Sequence, residues 1–343
     1  MSRPDLREFE EIDELAELRK LNGELQRRLH RAKAKTADLI EAVKEGAKEA
    51  ALIVGTPPPV PRPPKDRRRR KPEVALLHLS DLHFGKRTQS FDSEVARRRL
   101  EQLADKVVRL AGIERADHPV PECHVMLGGD VVENDGPIFP GQAWEVDSTL
   151  FEQLFAARAA IEHVLRVLLA NFERVTVWET YGNHGRLGRR GDHPREDSAD
   201  LLVYRLTRDR LEADVEAGRL VWHEAEGWYQ IVVIGNYRAL LVHGDQIRSF
   251  GGNVPHYGIA RKVNAWASGV VEPFIDCYMG HFHNPIVTPL ANGRGRVLVN
   301  PSIESDNQYA KEFVAATGTP GQRLNFVDPE KGRVTTERVV WLD

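Results

Sequence analysis

Five short polar clusters along this chain carry residue types that bind divalent metals: Asp81-Leu-His83, Gly129-Asp130, Gly182-Asn183-His184, His243-Gly244 and Gly280-His281-Phe-His283. Any one of them has a simpler explanation. An aspartate after a strand is usually a turn or cap residue, Gly-Asp and Gly-Asn are common turn dipeptides, and a lone histidine is usually packed. Five in one chain, each directly after an apolar run, are hard to explain that way. Carboxylates, an amide oxygen and imidazoles together suit manganese, iron(II) or zinc, and the lack of thiolates argues against a structural zinc site. Two such ions about 3.5–4 Å apart would clamp the attacking and leaving oxygens of a phosphoryl transfer, with one carboxylate bridging them.

To bring the clusters together, the apolar runs before them must be strands that end on one edge of a sheet. Val74–Leu79, Cys123–Leu127 and Val175–Trp178 read as buried strands. Helices over Asp92–Leu110, Thr149–Ala170 and Ser198–Leu211 alternate with them. Strands then dominate: Tyr229–Ile234, Ala239–Val242, Asp276–Met279, Pro285–Thr288, Arg296–Val299 and Val339–Leu342. The pattern predicts an α/β fold of two packed sheets with helices outside.

Ahead of this domain, assigned to residues 73–343, stand two different segments. Residues 1–54 repeat apolar positions every three or four residues from Leu6 to Val43 among charges, which predicts an amphipathic helix. Arg28 interrupts the seam begun by Leu18, Leu21 and Leu25, so a short helix that self-associates or binds a partner protein through residues 5–50 is expected, not a long coiled coil. Residues 55–72 form a proline-rich linker ending in Lys65, Arg67, Arg68, Arg69, Arg70 and Lys71. Residues 1–72 hold 18 Lys/Arg against 13 Asp/Glu, net +5, which leaves −8 for the rest. Such a basic arm could grip nucleic acid, or be a solvated linker. Overall, 41% hydrophobic and 29% charged residues fit a globular protein. Cys123 and Cys277 lie in apolar runs and read as buried free thiols. A charge-dense start and the lack of a long apolar run give the expectation of a cytoplasmic protein with no membrane contact.

Taken in order, the five clusters resemble the five motifs of the calcineurin-like metallophosphoesterases, across about residues 74–303. The resemblance implies a four-layer αββα sandwich with the helical extension at its amino end. It implies that Asp81, His83, Asp130 and His283 hold one metal and Asp130, Asn183, His243 and His281 the other, with Asp130 as bridge. Manganese is expected, with iron(II), zinc or magnesium as alternatives. His184 would face the substrate, and Asn300-Pro301-Ser302 is similar to a turn that follows the last motif. The family usually has an acidic residue after its Asn-His pair, where this chain has Gly185. Glu133 is therefore expected to orient His184 instead. Arg186, with Arg189 and Arg190, is a candidate phosphate contact beside the metals.

The implied activity is hydrolysis of a phosphate ester by a hydroxide that bridges the metals. Ser80 to Lys86 is similar to the opening motif of double-strand-break repair nucleases, so a DNA nuclease is the first expectation. A phosphomonoesterase and a non-catalytic metal-binding scaffold are the alternatives. The Phe250–Tyr257 loop, lying between two motifs, is expected to shape the choice.

Overall fold

The computed structural model describes residues 57–66, 68, 70–136, 138–139, 141–248, 254–305 and 318–343. The helix expected over residues 1–54 lies outside them. Six strands form the first sheet: β1 (Val74–Leu79), β2 (Glu122–Leu127), β3 (Arg174–Glu179), β4 (Leu220–His223), β10 (Gly321–Asp328) and β11 (Arg333–Trp341), in the order β11-β10-β1-β2-β3-β4. β1 to β4 run parallel, and β10 and β11 are antiparallel to their neighbours. The second sheet holds β5 (Tyr229–Ile234), β6 (Tyr237–Val242), β7 (Asp276–Met279), β8 (Val287–Pro289) and β9 (Arg296–Val299), ordered β5-β6-β7-β9-β8. Its centre, β6-β7-β9, is parallel, with antiparallel edges.

Side-chain alternation along each strand sorts residues between two cores. Leu76, Met126 and Trp178 meet Leu241, Tyr278 and Leu298 between the sheets. On β1 the alternate residues Ala75, Leu77 and Leu79 point outward, where α1 (Ser93–Glu114), α2 (Leu150–Asn171) and α3 (Ala199–Arg210) cover them. α5 (His256–Ala265), which follows the short α4 (Glu212–Glu216), packs Ile259 and Val263 on the far face of the second sheet. Helix, sheet, sheet and helix are thus stacked in four layers, as expected. The helices start where their caps lie: Asp92 accepts from the Val95 N–H at 2.8 Å, and Thr149 with Glu152 forms a capping box.

Two strands were not legible in the pattern. β4 has four residues, and β10 carries the buried polar residues Gln322, Arg323 and Asn325, which break an apolar run. Each polar side chain on β10 has a fixed partner: the Gln322 amide donates to Pro301 O (2.7 Å), Arg323 Nε to Val299 O (2.8 Å) and Asn325 Nδ2 to the Tyr278 hydroxyl (2.7 Å). Both cysteines are buried and free, as expected, and burial pushes the Cys123 thiol up to about 12. Among the described residues no helix is long and apolar enough to cross a membrane.

The described part of the proline-rich segment packs on the domain. It is irregular, yet it is not a free spacer: Val60 is buried, its N–H donates to Asp214 Oδ1 (2.9 Å), and the guanidinium of Arg219 donates to Val60 O. Several cations of the basic block are engaged too. Arg68 pairs with Asp66, Arg70 with Asp117, and Lys71 with Glu330. Extended backbone with many prolines loses little entropy on docking, and apolar contact with carbonyl acceptors holds it. Because this segment leads directly into β1, it lies at the amino ends of the parallel strands. Arg219, 2% exposed, also donates to the carbonyls of Leu169 and Phe172. Arg219→Met should therefore strand three carbonyls and lower stability by at least about 2 kcal/mol, read from urea unfolding.

Candidate metal centre

All five clusters leave the carboxyl ends of parallel strands: Asp81 and His83 after β1, Asp130 after β2, Asn183 and His184 after β3, His243 after β6, and His281 and His283 after β7. The backbone there is forced. Six described non-glycine residues have positive φ, and five are Asp81 (56°), His83 (47°), Asp130 (52°), His281 (64°) and His283 (53°); the sixth is Asn134 (73°). Each such conformation costs about 1–3 kcal/mol and persists only when the surroundings impose it. The glycines explain how close the loops come. A Cβ on Gly182 would lie 2.1 Å from Asp130 Oδ1, and one on Gly280 would lie 2.2 Å from Asp81 Oδ2.

Three imidazoles are gripped from behind. His83 Nδ1 donates to Glu133 Oε2 (2.8 Å), His283 Nδ1 to Glu304 Oε1 (2.7 Å) and His243 Nδ1 to Gly128 O (2.8 Å). Their Nε2 atoms are thereby turned inward. His83 Nε2 lies 3.2 Å from His283 Nε2, which lies 3.2 Å from Asp81 Oδ1, and His243 Nε2 lies 2.9 Å from Asp130 Oδ2. Lone pairs would face lone pairs at these distances unless a cation or a proton stands between them. Asn183 Oδ1, buried and without a hydrogen-bond partner, is one more unsatisfied acceptor. Asp81, His83 and His283 place donor atoms within 4.8 Å of one another, and so do Asp130, His243 and His281. This donor set fits two divalent cations, with Asp130 belonging to the second group.

Charges in the pocket reflect the same convergence. Burial alone would raise Asp81 and Asp130, but His283 beside the first and His243 beside the second hold both well below the carboxylate range. Burial lowers His243, yet Asp130 lifts it to about 10; burial likewise opposes Glu304, which lifts His283 well above its ordinary value. Burial and the neighbouring His243 take His281 down to about 4, leaving it neutral.

His184 belongs to neither of these two groups, although it forms a third donor cluster with His83 and Glu133. Its Nδ1 lies 3.1 Å from Glu133 O and 3.2 Å from Glu133 Oε2, while its backbone N–H donates to Asp130 Oδ1 (2.7 Å). Burial opposes the charge, but Glu133 and then Asp130 raise His184 to about 9. Glu133 lies beside His184 and has a second contact that the sequence did not suggest, since one oxygen faces both His83 and His184. Its other oxygen accepts from Lys86 Nζ (3.2 Å) and Gln142 Nε2 (3.3 Å).

Three supporting carboxylates or cations escaped sequence reasoning: Glu304, Lys86 and Asp200. Asp200, fully buried on α3, accepts from the N–H groups of Asp130 (3.0 Å), Val131 (3.0 Å) and Gly182 (2.9 Å), joining two of the loops. A Cβ on Gly185 would lie 2.7 Å from the Asp200 carboxyl carbon. The space beside Gly185 is therefore filled by a carboxylate from fifteen residues further on, the one available signal for Asp200. The Asn300-Pro301-Ser302 turn supports β1, as Ser302 Oγ donates to Asp81 O (2.7 Å). Arg186 is half-buried beside Asn183, and its Nε is buried without a partner. Of the Phe250–Tyr257 loop, residues 250–253 lie outside the described residues.

No protein-family model and no curated protein sequence matches the chain. Similar solved structures include the Entamoeba histolytica Vps29 complexed with Zn2+ (13% identity, TM-score 0.36, covering 78% of this chain and 99% of that one). A predicted phosphoesterase from Streptococcus pneumoniae TIGR4 (15%, 0.32, 78% and 98%) and an archaeal phosphodiesterase (14%, 0.34, 78% and 99%) are others. Scores this low carry no assignment of activity, which has to rest on the side chains.

Since His243 and His283 have raised values in the metal-free protein, they are protonated near neutral pH, and a metal must displace those protons. Binding of manganese or zinc at pH 8 should acidify a weakly buffered solution by at least one proton per protein. Affinity should then fall about tenfold per pH unit for each proton displaced as the pH is lowered. Glu304→Gln, which weakens the grip on His283, should reduce metal affinity about 10- to 100-fold without unfolding the protein, as measured by competition with a chromogenic chelator.

Proposed function

We propose that the protein is a metal-dependent phosphoesterase that cleaves phosphodiesters, with DNA as the substrate class. The observation that carries this reading is the pair of adjacent donor groups whose inward acceptors oppose one another beside His184, a histidine held in its protonated form. Two divalent cations there would draw charge from the phosphoryl oxygens and make water a competent nucleophile at neutral pH.

The residues of the chain supply the rest. Asp130 fixes the spacing between ligands and acid, because it reaches His243 through Oδ2 and accepts from the His184 N–H through Oδ1. With its Nδ1 held by Glu133, His184 presents Nε2–H, from which a proton can pass to the leaving oxygen as the P–O bond breaks. Lys86 offsets the charge on Glu133, so the carboxylate remains a steady partner for both His83 and His184. The side chains of His184 and His283 are 16% and 25% exposed, whereas those of Asp81, His83, Asp130 and His243 are at most 2% exposed, so the ester approaches from the His184–His283 side.

Support for a nucleic-acid substrate shifts away from the basic linker, whose Arg68, Arg70 and Lys71 have protein partners at the opposite end of the sheet. It moves to the arginines beside Asn183. Turnover of bis(p-nitrophenyl) phosphate and of p-nitrophenyl phosphate with manganese tests the reading. Hydrolysis of the diester alone supports it, monoester hydrolysis alone indicates a phosphatase, and no turnover of either points to a scaffold. His184→Ala should slow diester turnover about 10²- to 10⁴-fold with metal content unchanged. Loss of metal in that variant would contradict the role given to His184. Asp130→Asn should lose both metal and activity.

A further inference from the structure

A small cavity opens against the metal centre, lined on one side by Gly182 and Asn183 and on the other by the segment from Arg186 to Arg195. Four arginines belong to its lining, Arg186, Arg189, Arg190 and Arg195, with Asp245 as its acidic member. Asp245 is already engaged: Arg195 meets both of its oxygens at 3.0 and 2.8 Å while lying 5.6 Å from the centre of the Tyr181 ring. Asp192 is turned to the backbone, accepting from the Arg189 N–H at 2.8 Å. Neither Arg186 nor Arg190 makes an ion pair among the described residues, and Nε of Arg186 is buried without a hydrogen-bond partner. Burial, followed by the nearby charge of Arg190, lowers the Arg186 guanidinium from its ordinary value.

The backbone of this segment is tied down. Asn134 Nδ2 donates to His184 O (2.8 Å) and to Arg186 O (2.9 Å), and Arg186 pairs with Ser198 in an isolated antiparallel bridge. Arg186 therefore starts from a fixed frame, and the repulsion between its guanidinium and that of Arg190 is relieved by an anion between them. Guanidinium forks match phosphate oxygens better than any other side chain does.

We propose that Arg186 and Arg190 form a second phosphate subsite beside the metal centre, taking a phosphate that neighbours the scissile one. The substrate class narrows to esters that carry at least two phosphates, and this rests on the phosphodiesterase reading above. The neighbouring phosphate can be a terminal monoester or the next diester of a strand.

Two measurements on the full chain separate the ideas. In the first, the metal-free protein is titrated with thymidine 5′-phosphate and with thymidine by calorimetry. The nucleotide should bind at least about tenfold more tightly, and Arg190→Ala and Arg190→Glu, at an exposed position, should remove that difference. Equal binding of the two compounds, or unchanged binding in both variants, overturns the subsite. The second compares kcat/KM with manganese for the dinucleotide dTdT, its 5′-phosphorylated form and the trinucleotide dTdTdT. A preference for the phosphorylated dinucleotide alone supports the subsite with a terminal monoester as its source. Preference for both longer substrates supports it with either source, and preference for the trinucleotide alone with a diester. The Arg190 variants should bring these ratios towards one, and Arg186→Lys should keep part of them. Equal turnover of all three overturns the subsite and leaves the phosphodiesterase reading standing. If none is cleaved, that reading fails, and the calorimetry still decides the subsite.

Discussion

Acceptor atoms directed at one another are the constraint on which this molecule depends. Nε2 of His83 and of His283, Oδ1 of Asp81, Nε2 of His243 and Oδ2 of Asp130 come within 2.9 to 3.2 Å in chains of contacts that only positive charge can reconcile. Without a cation, protons on His243 and His283 must reconcile these contacts, because bare lone pairs repel and buried polar groups want partners. Four of these five residues, Asp81, His83, Asp130 and His283, also hold backbone conformations that side chains disfavour. The energy needed to maintain the arrangement must come from packing elsewhere, and two apolar cores outside the sheets and one between them are available for that purpose.

The means of enforcement is a shell of ordinary hydrogen bonds. Glu133, Glu304 and the Gly128 carbonyl set the direction of three rings, Asp200 joins the loops after β2 and β3, and Ser302 and Asn300 brace the end of β1. Small residues permit the loops to meet: a methyl group on Gly182 or Gly280 would overlap a ligand carboxylate. Glu133 is unusual in acting on two histidines with different tasks, one directed at the donor cluster and one at the mouth of the site. Its negative charge is sustained by Lys86, which is itself buried and ends against Glu145 (3.1 Å).

Charge is distributed unevenly around this centre. Of the basic residues that are most conspicuous in the sequence, the described Lys65, Arg68, Arg70 and Lys71 lie at the amino ends of the parallel strands, and the last three pair with Asp66, Asp117 and Glu330. The arginines that border the donor clusters come instead from the turn after His184, where Arg186 and Arg190 have no carboxylate partner among the described residues. Proximity to the donor clusters, more than the density of a charge run, decides which cations border the site.

By itself the sequence determined the parallel strands other than β4, their caps and helices, and the polar residues that follow the strands at the site, because strand periodicity and a polar cluster at the strand end are local signals. β1, β2 and α2 are found within about two residues of their expected bounds, and the α/β layering follows from the order of elements. The resemblance to metallophosphoesterases grouped the ligands, and the donor clusters group Asp81 with His83 and His283, and Asp130 with His243 and His281. What only the tertiary structure decided are contacts between positions far apart in the chain. Glu304 behind His283 and Asp200 beside Gly185 lie in stretches with no distinguishing composition, and β10 hides its strand character under polar residues whose partners lie on other elements. The docking of Val60 was equally illegible, since proline-rich sequence specifies an extended backbone and says nothing about which surface it meets.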